Sequence, residues 1–100
     1  MHRGSTPTHF FNVLIDTSRI KKIKIIYMQN DRDVLSKRTE DCTIEKGKIT
    51  TSLTQEETFM FAPNKIATAI MRVLTHDNQC LISRPLRFSV EDCFDDEVLE

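Results

Sequence analysis

Three histidines, three cysteines, an adjacent pair of aspartates and a run of cations are the side chains of this chain whose types could do chemistry. His2, His9 and His76 stand far apart, and no two of them have the spacing at which one strand or turn would offer a pair of metal ligands. They predict no metal centre. Nucleophilic catalysis needs a base within hydrogen-bond reach of the nucleophile, and the one local pairing is His76 with Cys80, which a solvated histidine beside a packed cysteine also explains. Asp95-Asp96 could in principle divide into acid and base. Neighbours in sequence point apart, however, and on a tail they lack the burial that would separate their pKa values. Gly4 and Gly47 have no glycine nearby, so no phosphate cradle and no nucleotide cofactor is expected. The sequence offers no enzyme.

Arg19, Lys21, Lys22 and Lys24 form the basic run, with Tyr27 close behind. Such a run could track a phosphate backbone with one stacking ring. Lysines alternating along an exposed strand face also keep a sheet edge from pairing with other chains, and on this second reading no nucleic-acid partner is expected.

The elements that must carry these side chains read as strands. Phe10–Ile15 is the first, closed by the turn-forming Asp16-Thr17-Ser18. In Ile20–Gln29, Ile23, Ile25 and Tyr27 alternate with Lys22 and Lys24, which predicts an apolar face and a solvent face. Asn30-Asp31-Arg32-Asp33 is a reverse turn into a returning strand, Val34–Arg38. Gly47 marks a second hairpin joining Asp41–Ile44 to Ile49–Leu53. Thr54 and Glu57 have capping-box spacing, so the corner after Leu53 predicts a single helical turn, followed by a strand-like run Thr58–Phe61. Lys65–Thr75 is apolar on both faces, as a central strand would be; a helix over Lys65–Leu74 is the alternative, because Ile66, Ile70 and Val73 also fit helical spacing. The polar turn Thr75–Gln79 into Cys80–Ser83 favours the strand, and Leu86–Val90 is the last one. Ile25, Met71, Val73 and Phe88 are the expected core.

Short strands with turn signals every few residues, no Trp and no core Cys pair predict an all-β fold, an antiparallel immunoglobulin-like β-sandwich, with a small β-barrel as runner-up. The expected organisation is a flexible leader over 1–8, one domain over 9–92 and an acidic tail over 93–100. One hundred residues suffice for one modest core. Cys42, Cys80 and Cys93 are an odd set without Cys-x-x-Cys spacing, and each is expected to be a half-buried free thiol. No apolar run approaches the roughly 18 residues of a membrane span, and the first residues lack the apolar centre of a secretory signal. The formal net charge is only -1, yet residues 1–50 hold ten Lys/Arg against six Asp/Glu and residues 51–100 four against nine. A basic front and an acidic back can associate head to tail. The expected protein-interaction residues are therefore Arg19, Lys21, Lys22 and Lys24 on one side and Phe94, Asp95, Asp96, Val98 and Leu99 on the other.

Thr6-Pro7-Thr8-His9-Phe10, Ile23–Tyr27 with Gln29-Asn30-Asp31, Leu53-Thr54-Gln55-Glu56-Glu57-Thr58 with Phe61, and Arg72-Val73-Leu74-Thr75 together span nearly the whole chain. This set resembles small proteins carried by tailed phages and prophages of gut Firmicutes. The resemblance implies a non-enzymatic structural component of a virion's capsid, neck or tail, made in the bacterial cytoplasm and then incorporated. Its expected partners are further copies of itself or other virion proteins, with no cofactor, membrane or small-molecule substrate, and the family offers no catalytic residue to carry over. The alternative is a binding module for a host-surface or carbohydrate ligand, against which stand the absence of Trp and the single Tyr.

Overall fold

A computed structural model describes residues 1–100 as two antiparallel sheets packed into a sandwich. The strands are β1 (Thr8–Asn12), β2 (Ile20–Gln29), β3 (Arg32–Arg38), β4 (Cys42–Glu45), β5 (Lys48–Ser52), β6 (Lys65–Thr75), β7 (Cys80–Ile82) and β8 (Leu86–Val90), with one helical turn, α1 (Gln55–Thr58). One sheet runs β1-β5-β4. The other runs β3-β2-β6-β7, with β8 continuing the line of β7 along β6. This is the immunoglobulin order: β1, β5 and β4 take the B, E and D places, and β3, β2, β6 and β7–β8 take C′, C, F and G. The domain's hallmarks are missing, since Cys42, Cys80 and Cys93 are all free and the C-strand tryptophan is absent. No covalent link joins the sheets, which are held chiefly by packing.

Alternation decides which side chains do this. Ile23, Ile25 and Tyr27 of β2 lie opposite Val73, Met71 and Ala69 of β6, all buried, and Phe11, Ile49 and Leu53 of the smaller sheet close over them. The bulky Tyr27 sits across from a small Ala69, which leaves room for its ring to meet Phe61 and Phe88 edge-on at 6.0 and 6.2 Å between centroids. A bulge at Lys21 turns Ile20 and Ile23, three residues apart, to the same face. Asn30 and Asp31 both adopt left-handed backbone, at φ 54° and 60°, the geometry of a two-residue hairpin turn whose twist matches its strands.

Several expectations shift. The first strand is Thr8–Asn12 rather than Phe10–Ile15, because pairing with β5 ends at Asn12 opposite Lys48 and the chain then bends away. Thr58–Phe61 forms no strand. Thr54 Oγ1 accepts from the Glu57 N–H at 3.2 Å while Glu57 Oε1 accepts from the Thr54 N–H at 2.9 Å, and this box commits the corner to helix. The loop beyond is sealed by Gln29, whose buried amide donates to Ala62 O at 2.9 Å and accepts from Ala62 N at 2.6 Å. Residues 1–8, expected as a flexible leader, are instead tied down: the Met1 ammonium meets Ser89 O and Glu91, Arg3 N donates to Glu91 O, and Gly4 N donates to Thr58 Oγ1. Gly4 has φ 81° and faces the Phe59 ring so closely that a Cβ would stand 2.8 Å from it.

Candidate assembly surfaces

The lysines read as guards of a sheet edge guard none, because β2 lies inside its sheet between β3 and β6. Lys22 and Lys24 point from the outer face, and register places Lys24 directly between Arg38 of β3 and Arg72 of β6. Three cations thus stand abreast across three strands, with Lys22 one row further on. None of their side-chain nitrogens has a carboxylate within 4.0 Å, and the one acid in contact, Asp41, accepts from the Arg38 backbone N–H at 2.9 Å. Together they line a shallow depression of about 650 Å³ whose one acidic wall residue is Glu40. Like charges directly across a sheet repel, so the arrangement weakens the fold it sits on. Of the rest of the basic run, Lys21 lines the same depression and Arg19 stands apart. Arg19 reaches Asp77 and Gln79 at 3.4 Å each, and Lys21 projects from the bulge.

The acidic segment starts at the opposite end of β6 from Arg72. Glu91 follows Val90, which pairs with Lys65 at the start of β6, whereas Arg72 is seven residues further along. At roughly 3.3 Å per residue the two are about 23 Å apart along the strand, well beyond the roughly 8 Å over which salt leaves exposed charges in contact. Glu91, at the start of the segment, therefore cannot neutralise Arg72, and no acid of the segment forms an ion pair with the cation row. The acidic tail is folded back on its own chain: Arg3 Nη1 lies 3.3 Å from Asp92 and 3.4 Å from Asp96, and the Gln55 amide clasps both the N–H and the C=O of Leu99 at 2.9 Å. Asp95 is exposed and Val98 half-buried. Phe94 is 92% exposed and Leu99 69% exposed, so the clasp holds the backbone and leaves two large apolar side chains in water.

A third surface was not foreseen. The seam between the sheets opens along β1 and β7–β8, and one end of it is plugged by His9, whose Nδ1 lies 2.6 Å from Tyr27 Oη and whose ring stacks 5.1 Å from that of Phe88. Burial pushes the Tyr27 phenol up and the His9 imidazole down, so both stay neutral at pH 7. The other end is an apolar groove of about 550 Å³ lined by Phe11, Val13, Ile15, Met71, Val73 and Leu81, with Arg84 its one charged wall residue. β7 borders it, and its Cys80, Leu81 and Ile82 are all exposed. Cys80, expected as a packed thiol, is therefore a surface one, and His76 is exposed in the turn before it. Arg38, Arg72 and the groove escaped the sequence reading because each depends on register. Arg72, the one charged residue between Ile66 and Leu74, was the available signal.

No group of three His, Cys, Asp or Glu side chains is close enough to hold a metal ion. No protein-family model and no curated protein matches the chain.

Proposed function

We propose that this protein is a non-enzymatic assembly module that packs head to tail with copies of itself or with a neighbouring structural protein, in keeping with the capsid, neck or tail component that its resemblance to phage proteins implies. The cation row Arg38–Lys24–Arg72 carries this reading. Repulsion maintained across three paired strands with no ion pair to any of the three side chains is a standing cost to the monomer, and an acidic surface brought by a partner would relieve it. The acidic segment supplies such a surface, starting about 23 Å along β6 from Arg72 in a molecule measuring 46 × 30 × 16 Å. A contact between two different ends is heterologous, and repetition of it builds rings or filaments. Sedimentation velocity over a range of protein and salt concentrations tests the proposal: association that grows with concentration and weakens with added salt is expected. A monomer under all conditions, failing also to bind virion proteins expressed with it, would overturn it.

A further inference from the structure

The two edges of the larger sheet are treated differently. β3 carries Arg32, Asp33, Lys37 and Arg38, charges that discourage another strand from adding there, whereas β7 reads Cys80-Leu81-Ile82 with no charge and no proline. Ile82 is 68% exposed. The line of β7–β8 already accepts an added strand further along: His2 forms a parallel bridge with Glu91, with Arg3 N donating to Glu91 O and Glu91 N donating to Met1 O. Residues 1–3 thus cover the β8 end of this edge and leave the β7 end uncovered.

Resting on the head-to-tail reading above, we infer that the uncovered β7 edge takes the acidic segment of a second copy as an added strand. Alternation along that segment matches the two faces of the edge. With Phe94 turned into the apolar groove, Val98 follows it in, and Asp96 enters beside Arg84. Cys93, Asp95 and Glu97 then fall on the outer face, toward the side of the sheet that carries Arg72 and Lys24. Seven extended residues reach about 23 Å, enough to run from Cys80 to Leu86, with strand pairing confined to Cys80–Ile82 because Pro85 has no N–H to offer. A copy stacked beyond the turn at His76–Gln79 would feed its segment in parallel to β7, the direction residues 1–3 already use, and would bring Cys93 alongside Cys80. Extension also releases Phe94 from left-handed backbone, φ 62°, a conformation that an aromatic residue disfavours. The clasp by Gln55 is the competing resting state.

Thiol oxidation of the full-length protein by diamide tests this, two thiols giving up two hydrogens to the diazene as the disulfide forms. The expected product is an intermolecular Cys80–Cys93 disulfide identified by peptide mapping, absent from Cys80→Ser and Cys93→Ser. Leu81→Arg, at a partly exposed edge position, should melt as the parent does yet associate at least tenfold more weakly. Gln55→Ala, which unclasps Leu99, should associate several-fold more tightly. Salt-sensitive association that persists in Leu81→Arg without a Cys80–Cys93 link would overturn strand addition and leave charge-paired assembly standing. Cys80–Cys80 links alone would mean that two β7 edges meet, and would overturn the acidic segment as occupant. A monomer under all conditions would remove both proposals.

Discussion

Replacing Lys24 by glutamate should stabilise the monomer and disable its assembly. Lys24 has Arg38 on one side and Arg72 on the other, each a direct cross-strand partner. A like-charged pair in that position costs on the order of 0.2–1 kcal/mol, and an opposite-charged pair contributes a similar amount. Lys24→Glu removes two repulsions and adds two attractions, a gross change of about 2 kcal/mol. Exposure of both arginines and screening by salt reduce it to about 1 kcal/mol. In a domain of this size that is a rise in Tm of about 4–8 °C. Thermal melts by circular dichroism of dilute protein, in low salt and in about 0.5 M salt, would show the gain and its loss on screening. Lys24→Gln should give roughly half the gain. Sedimentation of concentrated protein should meanwhile show the association weakened. A Lys24→Glu protein that melts no higher than the parent in low salt would refute uncompensated repulsion in the row, and one that is stabilised yet associates normally would remove the row from the interface.

Gln29→Ala should cost about 2–3 kcal/mol in urea unfolding, because it leaves the N–H and C=O of Ala62 without their partner in a half-buried loop. Val73→Asp buries an unpaired charge between the sheets and should cost several kcal/mol out of a total of roughly 5–15; an unchanged cooperative melt would place Val73 outside the core. The His9 pKa lies below its ordinary value, chiefly through burial, so the unfolded chain takes up a proton first as pH falls: stability should be full above about pH 6.5 and decline below it. His9→Gln, which can still bond Tyr27, should flatten that decline in melts between pH 7 and 5, and an unchanged slope would show that another group titrates.

The strands were legible where one residue's neighbours fix its face. Ile23, Ile25 and Tyr27 lie inward and β6 is central because two-residue alternation, and its absence, translate directly into burial. The capping box at Thr54 and Glu57 was equally local. Contacts between distant segments were not legible. Nothing near Phe59 in sequence announces that its ring packs on Gly4, nor does Gln29 reveal that its amide will serve Ala62. Small polar residues suggest a flexible leader, and an acidic tail gives no sign of docking on its own chain, because the anchors of both, Thr58, Arg3 and Gln55, lie as much as ninety residues away. For the candidate site the lysines were visible but their meaning was not, since an edge strand and an inner strand can share one alternation.

The pairing of Tyr27 with Ala69 has a kinetic side. Closing β2 onto β6 requires a loop of roughly 40 residues, and topologies dominated by such distant pairings fold in milliseconds to seconds. Until that loop closes, β7 has only β6 beside it, and a lone two-stranded hairpin is marginal in water. The slow step in folding therefore comes before the edge at Cys80–Ile82 is firm enough to receive another chain. On the proposed strand addition, a second chain can join only after β2 has closed onto β6.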